Sequence, residues 1–188
     1  MNSSDFDDAA AAFADTAIGG GLSPEVEALI TQAGLLREHP QEALPLLERA
    51  RAAAPRHPVP LIALYRFYFY GHQLAQARAM GEDALAIART ALGPDFGDVP
   101  PTDDVARHDA ALRFYLFTLK GLAYLSLRLN DLDEARLMLG ELRRLDPSDH
   151  VGGAVLLHVL VRHDAGEDPE QGDSLPAHPA RGWPRGLS

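Results

Sequence analysis

The chain of 188 residues has the length of one domain, and 46% hydrophobic content suffices for a sizeable core, although only 7% is aromatic. Basic residues number 17 against 27 acidic ones, a formal charge of −10 that argues against a nucleic-acid footprint. The absence of cysteine excludes disulfides, thiol nucleophiles, cysteine-ligated zinc and cysteine-held iron–sulfur clusters.

Residues 1–22 read MNSSDFDDAAAAFADTAIGGGL, acidic and alanine-rich, with three glycines near the end. A transient helix over 9–17 would have only Phe6, Phe13 and Ile18 as anchors, so a disordered acidic N-terminal tail is expected. The stretch carries no basic residue and does not read as a signal peptide. Residues 166–188 hold Pro169, Pro176, Pro179 and Pro184 and read as a Pro/Gly-rich C-terminal tail. Residues 23–165 form the folded domain. Its most apolar run, 151–161, is too short to span a bilayer. A cytoplasmic protein with no membrane and no nucleic-acid partner is the expectation.

Within 23–165 alternating strand patterns are absent and apolar residues recur at helical spacing. Ser23-Pro24-Glu25 starts a first helix, with serine as cap and proline in the first turn, that stops near His39-Pro40. A second helix spans 41–53, where Pro45 is tolerable because it lies near the first turn. A third spans 59–70 and a fourth 74–91, the latter with Ala77, Gly81, Ala84 and Ala88 on one stripe. Gly81 costs about 1 kcal/mol against alanine in a helix interior, which makes sense if another backbone approaches closely there. After the 93–101 loop, Thr102-Asp103-Asp104 caps a fifth helix over 104–129, with Gly121 its weakest point. A sixth covers 132–145, and Ser148 caps a seventh over 149–163. Seven helices joined by short turns make an array of antiparallel hairpins.

Self-comparison finds a repeat. Ala43 and Ala50 of the second helix recur 34 residues later as Ala77 and Ala84, and Ala135, after Asp133-Glu134, continues the series 58 residues beyond Ala77. Pro55 and Pro147 each fall twelve residues after the early alanine of their unit. The stretches HPQEALPLLERARAAAP, GHQLAQARAMGEDALAIA and LNDLDEARLMLGELRRLDP resemble the tetratricopeptide repeat (TPR) family, whose unit is 34 residues. The resemblance covers 24–92 and 116–149. It implies an all-α fold of antiparallel helical hairpins stacked as a short right-handed superhelix, closed by a C-terminal capping helix. The chain departs from the family pattern at Gly34, where an aromatic is usual, and at Leu142, which replaces the later alanine. The second unit also lacks its closing proline. The segments YRFYFYGHQLAQA and LRFYLFTLKGLAYLSLRL also look like those of small TPR proteins that accompany bacterial nitrogen-fixation genes. That second resemblance implies an accessory role in nitrogenase assembly, maturation or protection, exerted by holding another protein.

In the family the first helix of each hairpin lines the concave groove. Carried over by position, the partner-binding set is Gln32 from unit one, Arg66, Phe69 and Tyr70 from unit two, and Phe117, Lys120, Tyr124 and Arg128 from unit three. Arg66 and Tyr70 share a helical face, as do Lys120, Tyr124 and Arg128. Cations and tyrosines in an acidic protein suit an acidic or carboxylate-ended peptide. The competing reading puts these aromatics in the core and leaves the cations solvated; Tyr65, Phe67, Tyr68 and Phe114 are assigned to the core. The seventh helix is apolar nearly all round and should be buried all round. Its cover is the C-terminal tail through Leu175 and Trp183, a second copy, or another protein. Leu156 and Leu160 are the candidates for such a second interface.

The eight histidines show no spacing that makes a ligand set, and neither a phosphate loop nor a nucleophile motif is present. The chain is therefore expected to have no catalytic, cofactor or metal site. It reads as a non-enzymatic scaffold that binds a peptide or helix of a protein partner, a nitrogenase-related one by the weaker resemblance. The alternative is a structural homodimer built through the apolar C-terminal helix.

Overall fold

The computed structural model describes residues 3–18 and 20–166, and every regular element among them is helical. They are α1 (Ser3–Phe13), α2 (Pro24–Leu35), α3 (Pro40–Ala53), α4 (Pro58–Tyr70), α5 (Leu74–Leu92), α6 (Asp103–His108), α7 (Ala110–Arg128), α8 (Leu132–Leu145) and α9 (Ala154–Asp164), with a π-helical turn over Ala14–Ile18 after α1.

Local chemistry sets most of these boundaries. Prolines open α2, α3 and α4, where a missing N–H removes no intrahelical bond. The Ser23 hydroxyl accepts from the Val26 N–H at 3.4 Å, and Thr102 does the same for Val105 at 3.4 Å. Helix α3 begins at Pro40 rather than 41, so Pro45 lies beyond the first turn and forgoes one backbone bond.

Two boundaries differ from the sequence reading. The expected fifth helix over 104–129 is divided at Asp109, whose extended backbone and side chain (accepting from Leu112 N–H at 2.7 Å) make it a fresh N-cap. Helix α7 then runs unbroken through Gly121. The seventh helix starts at Ala154, not 149, because Asp149 and Gly152 adopt positive φ and Asp149 Oδ1 accepts from the N–H groups of Gly153 and Ala154. Ser148 therefore does not cap it.

The repeat is visible in the backbone. Gly71-His72-Gln73 and Leu129-Asn130-Asp131 make the same helix-ending turn 58 residues apart: His72 and Asn130 have φ of 58° and 59°, and the N–H groups of Gln73 and Asp131 reach back to Tyr68 and Ser126. The caps Ala54 (φ −134°, ψ 65°) and Asp146 (φ −133°, ψ 66°) match just as closely. Ala43, Ala50, Ala77, Ala84 and Ala135 are all fully buried. Small residues at those places let paired helices approach.

Packing follows chain order. Helix α2 packs on α3, α3 on α4, α4 on α5, α5 on α7, α7 on α8 and α8 on α9. The core is correspondingly a series of apolar patches along the array, the largest of them around α7. The hairpins are also stitched on the outside by Arg51–Asp83 and by Arg78, which reaches Asp131 at 2.9 Å. Pairs this exposed contribute little stability.

The N-terminal segment corrects the sequence reading most. In place of a disordered tail over 1–22, α1 lies across α7 and touches α4. Phe6, Ala9, Ala10 and Phe13 are buried, a spacing of three, four and seven that defines one helical face. The chain was thus already amphipathic there, but alanine is too small to advertise it.

Candidate functional site

Helices α4 and α7 meet through their side chains. The Tyr65 hydroxyl donates to the Gly121 carbonyl at 3.4 Å, and the rings of Phe69 and Tyr124 sit 5.9 Å apart. These are the first helices of two successive hairpins, the surface the sequence nominated for a partner. Helix α1 occupies part of that surface. Phe13 stacks on Phe114 at 4.9 Å between centroids, with planes 10° apart. Phe6 stacks on Phe114 at 5.9 Å and meets Phe117 edge-on at 6.0 Å. Offset stacks of this kind add to the apolar burial itself.

One ion pair accompanies the rings. Arg66, only 4% exposed, pairs with Asp7 of α1. Its Nε is buried with no hydrogen-bond partner among the described residues. Burial raises the Asp7 pKa above the usual carboxylate range, against the opposing pull of Arg66 and with help from neighbouring Asp8. The docking charge pair is thus incompletely compensated.

The nominated residues separate into groups. Arg66 and Phe117 lie under α1. Phe69, Tyr70, Tyr124 and Arg128 cluster at the C-terminal ends of α4 and α7: Phe69 meets Tyr70 edge-on at 5.4 Å, and Arg128 Nη1 donates to the Tyr124 hydroxyl at 3.2 Å. Tyr70 is 41% exposed, whereas Tyr124 is buried. Lys120 is turned away to the segment before α9, where Nζ donates to the Val151 carbonyl at 2.7 Å. Burial depresses its pKa, opposed by Asp149. Lys120 is therefore an internal strut, and its carry-over to a groove is corrected: its hydrogen-bonding group is engaged by this chain's own backbone. Gln32 is exposed on α2. Of the core assignments, Tyr65 and Phe114 are buried, and Phe67 and Tyr68 are half-buried.

Helix α9 also departs from expectation. Leu156 and Leu160, nominated for a second interface, are each 2% exposed within the main core and cannot serve one. The opposite face is not buried all round: Val155 and Val161 are more than half exposed. Leu175 and Trp183, nominated as cover, lie outside the described residues. The 93–101 loop is held down from outside, Arg89 donating to the Phe96 carbonyl and Arg144 to that of Gly97 at 2.8 Å. Phe96 in turn packs edge-on against Tyr115 at 5.0 Å. Sequence reasoning missed Asp7, Phe6 and Phe13 as site residues.

No family model matches the chain, and no solved structure matches it. It is 37% identical over 179 residues to the "uncharacterized 19.8 kDa protein in nifW 5′ region" of Azotobacter chroococcum mcd 1, an alignment covering 88% of this chain and 92% of that protein. The chain belongs to that protein's family. The TPR resemblance rests on the repeated stretches alone. No helix among the described residues is long and apolar enough to cross a membrane.

Proposed function

We propose that this protein is a non-enzymatic interaction module, a short TPR-like array that holds a helix of a partner protein against α4 and α7. One observation carries the reading: that surface already receives a helix, α1, through ring stacking and a half-buried Arg66–Asp7 pair. The printed name of the Azotobacter relative, which sets it in the 5′ region of nifW, supports a partner from the nitrogen-fixation machinery and a role in nitrogenase assembly, maturation or protection. Among the described residues both buried cations are engaged in structure, Arg66 by a carboxylate and Lys120 by a carbonyl, which fits holding rather than chemistry.

The test is purification of the tagged protein from its native host, identification of the co-purifying protein, and direct binding of that purified protein to wild type and to Arg66→Glu. A partner whose binding Arg66→Glu abolishes supports the reading. Recovery of nothing above the untagged control, or a partner indifferent to changes on α4 and α7, ends it.

A second reading, a homodimer through α9, is favoured by the exposed faces of Val155 and Val161. Light scattering over a concentration series decides it: a monomer at every concentration sinks the dimer.

A further inference from the structure

We infer that α1 is a displaceable occupant of the α4–α7 surface, and that the partner taken in its place is an acidic amphipathic helix with two aromatic residues seven apart and an aspartate directly after the first. The inference rests on the helix-holding function proposed above and specifies its ligand and its regulation.

Three observations lead there. Helix α1 has 11 residues, too few to be stable alone in water, so its helicity depends on what it touches. Its main contacts with the array are with α7 and, more lightly, α4, while α2 to α9 pack in chain order without it. The array therefore keeps its hairpin contacts when α1 leaves. The contacts that hold α1 also spell out a recognition code. Phe6 and Phe13 fill the places beside Phe114 and Phe117, small Ala9 and Ala10 allow the close approach between them, and Asp7 meets Arg66. A lysine in place of Asp7 would face the Arg66 guanidinium at 4% exposure, where like charges repel strongly.

A tethered segment acts at an effective concentration on the order of millimolar, so a competing helix in trans sees its affinity reduced until α1 is weakened. The connection to α2 contains Gly19, Gly20 and Gly21. Displacement exchanges one helix for another of the same chemistry.

The experiment uses the full-length protein and a fluorescein-labelled synthetic peptide of residues 1–18, with binding read by fluorescence anisotropy. Two full-length variants weaken the resident helix: Phe6→Ala combined with Phe13→Ala, and separately Asp7→Arg. Circular dichroism and light scattering establish that each is folded and monomeric. The wild-type peptide is expected to bind at least one folded variant about tenfold or more tightly than it binds the wild-type protein, because the intramolecular competitor is weakened. A peptide carrying Asp7→Lys should lose most of that binding and regain it on a protein carrying Arg66→Glu together with the two phenylalanine changes. Equal affinity for wild type and variants, or no binding to any folded variant, overturns the inference. So does a wild-type dimer that the peptide dissociates, since it assigns the surface to the α1 of a second copy. A host partner that binds wild type and variants equally, but fails on Arg66→Glu, would end this inference and leave the helix-holding reading standing.

Discussion

Leu122 of α7 fills the notch that Gly81 leaves in α5: a Cβ at position 81 would lie 2.7 Å from Leu122 Cδ2 and 3.3 Å from its Cγ. The glycine expected from sequence to mark a close approach does so, although the visitor is a side chain rather than a backbone. Leu122 is fully buried and has nowhere to retreat. Gly81→Ala should therefore destabilise by about 1 kcal/mol net, overpacking of about 1–3 outweighing a helix-propensity gain of about 1. Gly140 in α8 meets nothing within 4 Å, so Gly140→Ala should stabilise by about 0.5–1 kcal/mol. Urea melts of both variants check the pair, and a common sign would contradict the packing argument.

Leu142 occupies the place where the first two units have Ala50 and Ala84, and it fits because Gly153, opposite, has no side chain. This departure from the repeat is what docks the last helix. Leu142→Ala should cost about 2–5 kcal/mol through the cavity it leaves. Hydrogen exchange should rise first in α9, and exchange that rises uniformly along the array would count against this role.

His57 caps α4, its Nδ1 accepting from the Val59 N–H at 3.3 Å, and burial lowers its pKa against the opposing influence of Gly20 and Asp15. The unfolded chain therefore takes up the proton before the folded one does. Stability should fall as pH drops below the ordinary histidine value of 6.5 and on through the depressed folded value. Denaturation midpoints at pH 7.5 and about 5.5 should separate in wild type and converge in His57→Asn, which retains a capping acceptor. An unchanged separation in the variant would exonerate His57.

Arg144 and Arg89 hold the 93–101 loop through backbone carbonyls. Arg144 also pairs with Glu141 at 2.8 Å, on an exposed surface. Arg144→Ala should speed amide exchange around 96–98 while changing global stability by about 1 kcal/mol or less. A large loss of global stability would show that the loop belongs to the cooperative core.

How much of this was legible from sequence depended on the range of the interaction involved. Helix ends are decided within a few residues, so Ser23, Pro24 and Thr102 could be read directly. The same holds for the buried alanines at positions 43, 77 and 135, because two helices of a hairpin always need a small residue where they cross. Asp109 escaped notice because a single capping carboxylate interrupts an otherwise continuous helical pattern.

The fate of α1 was a different kind of question. Its eleven residues, rich in alanine and aspartate, do not commit to a structure on their own. Sequence alone determined that this protein is an array of repeated helical hairpins, since period, caps and small crossing residues are local quantities. Tertiary structure alone decided that part of the array's nominated surface, Arg66 and Phe117, is covered by its own first helix. Stacking Phe6 and Phe13 on Phe114, and pairing Asp7 with Arg66, join residues about 60 to 110 positions apart, and only the packed chain brings them within reach.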